Sequence, residues 1–277
     1  MEEIQAGLRG VVRFILFFLI ILVFLIWSYI CHLFVRDSKR RLQVFSGNGS
    51  YFSGLILKVF GLDLKVINKP ADDKPFLLVS NHMGFVDILM LGSQFPMLFI
   101  TSKEMKETPF LGTLTEMGGC IYVERRSRTK ILDEMKSIVE SLQKGFRVVL
   151  YPEATSTNGE KVLPFKKTLM MAAAHAGVPI QPVVVNFREV NGEEFNVKWR
   201  DHLCWYGDIP FVTSLWKSLS LKSVKAELEF LEPFMTSTED DRGLVAAKAH
   251  AAISEKFRPV KPMPNEIDSS EMEVDPT

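Results

Sequence analysis

Pro75-Phe76-Leu77-Leu78-Val79-Ser80-Asn81-His82-Met83-Gly84-Phe85-Val86-Asp87-Ile88-Leu89-Met90-Leu91 is the stretch on which the fold turns. Its first six residues form a tight apolar run of buried-strand length. From Phe85 the apolar residues lie all round a helix, the pattern of an element covered on every side. His82 stands between the two, at a strand-to-helix turn, where α/β proteins put their chemistry. Asp87 follows five residues later. Positions five apart on one helix face different ways, so the two side chains meet only if His82 lies outside the helix. From the loop, the carboxylate can hold one ring nitrogen and leave the other as a general base. No serine or cysteine stands where a nucleophile paired with His82 is expected, which leaves a substrate hydroxyl as the group to be deprotonated. A plainer reading of the same residues is a capping Asn81, a partly buried His82 and a solvated Asp87.

Downstream, strands and helices alternate. Met97–Ile100 is a short strand, Pro109–Gly112 a helix start, and Gly118–Arg126 a strand ending in charge. Ile131, Leu132, Met135, Ile138, Val139 and Leu142 have amphipathic-helix spacing, closed by Gly145. Arg147–Leu150 is a buried strand that opens into Tyr151-Pro152-Glu153-Ala154-Thr155-Ser156-Thr157-Asn158-Gly159. Phe165–Ala176 is expected as a helix and Val178–Val185 as a strand. Phe195–Leu203 and Lys222–Leu231 read as strands, and Arg242–Phe257 as an Ala-rich helix. The alternation predicts an α/β fold: a mixed, largely parallel sheet flanked by helices. The acidic, proline-bearing residues after Arg258 have the composition of a disordered tail.

Upstream, Phe14–Val35 is almost wholly apolar and long enough to cross a bilayer core. The run is too long for a cleaved signal peptide and ends in Trp27-Ser28-Tyr29-Ile30-Cys31-His32, without small residues at a cleavage site. Arg36, Lys39, Arg40 and Arg41 follow it, against Arg9 and Arg13 before it, which puts the C-terminal flank on the cytoplasmic side. Gly47-Asn48-Gly49-Ser50 reads as a turn, and Tyr51–Leu62 either as a short interfacial or docking helix or as an ordinary core helix of the next domain. The expected organisation is therefore N-terminal membrane-anchoring helices over 1–62, a catalytic domain over 63–236, and a C-terminal helix with an acidic tail over 237–277. Lys and Arg total 33 against 33 Asp and Glu, a balance that argues against a nucleic-acid partner. The 3 cysteines are too widely spaced for a disulfide framework or a zinc site.

Four blocks, in order, resemble the glycerolipid acyltransferase family to which bacterial 1-acylglycerol-3-phosphate acyltransferases belong. They are Asn81-His82-x4-Asp87, Gly119-Cys120-Ile121-Tyr122-Val123-Glu124-Arg125, Tyr151-Pro152-Glu153-Ala154-Thr155-Ser156, and Val178-Pro179-Ile180-Gln181-Pro182-Val183. The resemblance implies a membrane-bound O-acyltransferase, with His82 as general base and Asp87 as its orienting partner. A lyso-glycerophospholipid hydroxyl attacks the thioester of acyl-CoA or acyl-carrier protein; no metal and no cofactor beyond that co-substrate is implied. Arg125, Glu153, Thr155, Ser156 and Lys103 are the implied acceptor-binding residues. The site is expected to face the cytoplasm, at a bacterial inner membrane or the endoplasmic reticulum. The leading acceptor is 1-acylglycerol-3-phosphate, giving phosphatidic acid. Two departures bear on it: Ala154 replaces the usual glycine, and Ser156 stands where the family generally has arginine. An arginine grips phosphate with two charged donors and a serine offers one neutral hydroxyl. The alternatives are therefore another lyso-lipid acceptor (a phosphodiester or an aminolipid), or a tethered lipid binder without turnover.

Overall fold

The computed structural model describes residues 2–71, 73–124 and 131–262. The chain opens with helices α1 (Glu2–Phe34) and α2 (Ser38–Phe60), followed by β1 (Leu62–Ile67), β2 (Leu77–Ser80), α3 (Phe85–Gly92) and β3 (Met97–Ser102). Next come α4 (Lys103–Glu107), α5 (Leu111–Met117), β4 (Ile121–Val123), α6 (Ile131–Gln143) and β5 (Arg147–Leu150). After α7 (Ala172–Ala176) are β6 (Ile180–Val190), β7 (Glu193–Glu194), α8 (Val197–Leu203), α9 (Phe211–Ser220), β8 (Val224–Phe230) and α10 (Arg242–Lys256).

The sheet runs in the order β1-β8-β6-β2-β5-β3-β4, with β7 paired to β6. From β6 to β4 all neighbours are parallel, whereas β8 is antiparallel to β6 and carries β1 parallel to itself. This is the mixed, largely parallel sheet expected from the alternation. β2 and β5 are buried at every residue, as unbroken apolar runs in a doubly covered sheet should be. Leu78, Val149 and Phe99 share one row. Four residues past that row the three strands release His82, Glu153 and Lys103 at the same sheet edge, so the topology collects residues that are far apart in sequence.

Three expected elements differ. Residues 44–50 do not turn: α2 is continuous, because the helix lies along α1 and Asn48 Nδ2 donates to Ser28 Oγ at 3.2 Å. Packing against a neighbour outweighs the roughly 1 kcal/mol that each glycine costs a helix. Phe195–Leu203 is helical from Val197, where Asn196 Oδ1 accepts Lys198 N at 3.0 Å and starts α8. Phe165–Thr168 stays outside any helix, since Lys166 N donates to Pro152 O at 2.8 Å and draws that segment back over the end of β5.

α1 and α2 form an antiparallel pair. Phe24 meets Phe52, His32 meets Phe45 and Phe17 meets Phe60, while Phe14 meets Trp216 of α9. Phe17, Ile21 and Phe24 are buried; Ile15, Leu19, Leu22 and Ile26, on the other side of the helix, are about half exposed. Among the described residues α1 is the one helix long and apolar enough to cross a membrane. It is a candidate anchor, held along its length by the folded domain.

Candidate active site

The loop after β2 is shaped by side chains that replace backbone partners. Asn81, buried at the strand end, donates through Nδ2 to Val185 O at 3.0 Å and accepts Val185 N through Oδ1 at 2.9 Å. Its amide thereby continues the β2–β6 ladder by one rung and releases the chain at His82. Asp87, the third residue of α3, is fully buried and turns back over the helix start. Its Oδ2 accepts Met83 N at 2.6 Å and Gly84 N at 2.9 Å, satisfying donors the helix itself leaves open. Its Oδ1 lies 3.0 Å from His82 Nδ1. The imidazole is reached from outside the helix, as the five-residue spacing requires.

Nδ1 facing a carboxylate acceptor carries the proton, an assignment that follows from the hydrogen bond and leaves the Nε2 lone pair free. Nε2 has no partner among the described residues, and the ring is 17% exposed. One ring face stacks on Tyr151, with centroids 4.0 Å apart and an interplanar angle of 18°. Burial, with the Asp87 charge adding to it, holds the Tyr151 phenol well above its ordinary range. The histidine is thus oriented through Nδ1 and through its face, while its outer nitrogen stays open.

The segment after β5 clamps the peptide of His82. Glu153 Oε1 accepts His82 N at 2.7 Å and Oε2 accepts Leu163 N at 2.6 Å. Thr157 donates twice to His82 O, from N at 2.9 Å and Oγ1 at 3.1 Å. Glu153, expected at the acceptor, is 4% exposed with both oxygens on backbone donors, so it holds the His82 loop to the segment after β5. Burial pushes its carboxyl up to about 7, against those two hydrogen bonds and the attraction of His82, which pull it down.

The other expected site residues spread outward. Ser156 Oγ donates to Trp205 O in a short hydrogen bond, so its hydroxyl ties two loops together. Thr155 is exposed. Lys103 is exposed at the start of α4, two strand spacings (about 10 Å) across the sheet from β2. Arg125 lies outside the described residues. Tyr151 and Thr157, to which no motif gives a role, also hold His82; the signal in the chain is their place at the end of a buried strand and just past Glu153. Cys204 is buried near Asp87, and burial raises its thiol, so it offers no second nucleophile. A cavity of about 990 Å³ lies at the opposite sheet edge, between Phe76, Pro179, Phe230 and Lys256. It contains no member of the His82 cluster, and the chemistry rather than the cavity size locates the site.

Comparison with known proteins places the chain in a family. The profile of the Acyltransferase family matches residues 63–186. The chain is 31% identical to a lyso-ornithine lipid O-acyltransferase of Brucella abortus over 216 residues, 75% of this chain and 78% of that one. It is 27% identical to a 1-acyl-sn-glycerol-3-phosphate acyltransferase of Neisseria meningitidis over 219 residues, 78% of this chain and 81% of that one. The crystal structure of a 1-acyl-sn-glycerophosphate acyltransferase from Thermotoga maritima has the same fold, with a TM-score of 0.61 at 22% identity, covering 94% of this chain and all (100%) of the other. The chain belongs to the glycerolipid acyltransferase family, and it is an O-acyltransferase.

Proposed function

We propose that His82 Nε2 takes the proton from the free hydroxyl of a membrane lyso-lipid as that oxygen attacks an acyl thioester of CoA or carrier protein. The tetrahedral adduct collapses to the new ester and expels the thiolate, which receives the proton from the imidazolium. Asp87 stabilises the imidazolium that forms in between and holds the ring in one tautomer. The 3.0 Å Asp87–His82 contact with Nε2 left open carries this reading. No metal and no resident cofactor enters the proposed steps.

For the acceptor, the reading rests on Ser156. Its hydroxyl is already bonded to Trp205 O, so the third block presents no cation where the family generally has arginine. An acceptor without a phosphomonoester fits best: lyso-ornithine lipid, as in the name of the Brucella relative, or a lysophospholipid diester. The second reading is 1-acylglycerol-3-phosphate, favoured by the Neisseria relatives and by Lys103 on the same sheet edge. α1 is held at both ends, by Arg9 on Ser220 O and by His32 on Phe45. We therefore read it as lying against the bilayer by its outer face, with the site on the cytoplasmic side.

Purified enzyme given a competing panel of lyso-ornithine lipid, lysophosphatidylethanolamine and 1-acylglycerol-3-phosphate separates the readings. We expect the phosphomonoester to be the poorer substrate by about 10-fold or more in kcat/KM, and Ser156→Arg to improve it selectively. A wild-type preference for the phosphomonoester would sink the acceptor assignment and leave the chemistry standing. His82→Ala should lower kcat by about 10²–10⁴. Undiminished turnover in that variant would remove the mechanism.

A further inference from the structure

Arg9 and Arg13 flank the apolar run of α1 and face inward. Arg9 donates through Nε and Nη2 to Ser220 O at 3.1 and 2.7 Å. Arg13 donates through Nη1 to Leu221 O at 2.5 Å and Phe60 O at 3.3 Å, and through Nη2 to Lys222 O at 3.4 Å. These carbonyls end α9 and α2. Two helix ends supply roughly one unit of negative charge in all. Lys58 in the last turn of α2 adds a third cation, exposed and without a partner among the described residues. No described carboxylate pairs with any of the three. Among the described residues the helix ends thus offset about one of the three positive charges, and Arg9 Nη1 and Arg13 Nε lack an acceptor there.

The three cations line an open groove of about 610 Å³ between α1 and the end of α2. Its apolar wall is Leu8, Val12 and Leu16, which are 66%, 49% and 42% exposed on the outer face of α1. A phosphate bearing one negative charge or more on top of an aliphatic chain matches both halves of this surface. We propose that the groove is a second lipid site that holds an anionic phospholipid of the surrounding leaflet, separate from the acceptor. The groove lies where β1 and β8 begin, the sheet edge on which β2 ends. β1 is nonetheless three strand spacings from β2, about 14 Å, too far for one acceptor to place its phosphate here and its hydroxyl at His82. Such a lipid would hold α1, α2 and α9 in register beside the active site.

The full chain in neutral detergent provides the test, with thermal unfolding and native mass spectrometry as readouts. Phosphatidylglycerol, phosphatidylcholine and inorganic phosphate are the probes. Phosphatidylglycerol should raise Tm saturably and remain bound as one molecule per chain; the other two should do neither. Lys58→Gln should weaken that binding about fivefold, and Lys58→Arg should restore it. Arg9→Gln should weaken it as well, and Lys58, being exposed, keeps the test open if that variant fails to fold. Turnover in detergent should be the same in Lys58→Gln as in wild type. Equal shifts with phosphatidylcholine would mean apolar adsorption alone, and an equal shift with inorganic phosphate a free-anion site. Unchanged binding by Lys58→Gln would likewise overturn the proposal.

Discussion

At Ala154 the backbone takes φ +61°, the left-handed region that costs a residue with a Cβ about 1–2 kcal/mol. A glycine is the family's usual occupant, and the turn that aims Glu153 at His82 N is the physical reason. Ala154→Gly should therefore stabilise the protein by about 0.5–1 kcal/mol, seen as a rise in Tm of about 1–4 °C. Glu153 carries a pH dependence. Its folded-state carboxyl titrates at about 7 against 4.5 in the unfolded chain. Between those values the unfolded chain has released its proton and the folded one retains it, so stability falls as pH rises through that window and is lowest above it. Glu153→Gln should cost stability at pH 5, because one of two backbone donors loses its acceptor, yet it should flatten the slope between pH 4.5 and 7. Unfolding free energies of both proteins across that range check it, and parallel curves would refute it.

The helix start that carries Asp87 depends on how closely a second element approaches it. A Cβ on Gly84 would sit 2.9 Å from Trp205 N and 3.1 Å from Trp205 Cβ. Trp205 N is itself bound to Met83 O at 2.7 Å. Glycine is needed here for space, since the backbone is extended. Gly84→Ala should push the Leu203–Trp205 segment away from the His82 loop, at a cost of about 1–3 kcal/mol. It should also lower kcat by about 10-fold or more, because Gly84 N is one of the donors that orient Asp87. The spacing of His82 and Asp87 could be read along the chain. The clamp from Glu153, Thr157 and Trp205 could not, since those partners arrive from more than 70 residues away.

For the whole molecule, α1 is a wall of the core as well as a candidate anchor. Phe17 and Phe24 pack on Phe60 and Phe52, and Phe60, 1% exposed, passes the contact to Phe85 beside the active-site loop. A detachable tether would leave a soluble catalytic unit when removed. Deleting residues 1–36 should instead yield an aggregating chain in buffer and a markedly lower Tm in detergent, because α2 and α9 lose their cover. Size-exclusion chromatography and thermal unfolding read the outcome. A monomeric, cooperative and active truncated protein would contradict it.

Alternation of apolar runs with amphipathic spacing determined the α/β class, and the four ordered blocks determined the family, because both are local patterns along the chain. The apolar run of α1 likewise declared itself by length and composition. Residues 44–50 and 195–203 depart from the local pattern for one reason: their own propensities are weak, and contacts with α1 or a cap at Asn196 decide them. Only the tertiary structure could turn Glu153 from an acceptor ligand into a support for His82, stack Tyr151 on the imidazole, and use up the Ser156 hydroxyl. Each of those roles is set by a partner on another strand or loop, and chain order carries no information about distance across a sheet.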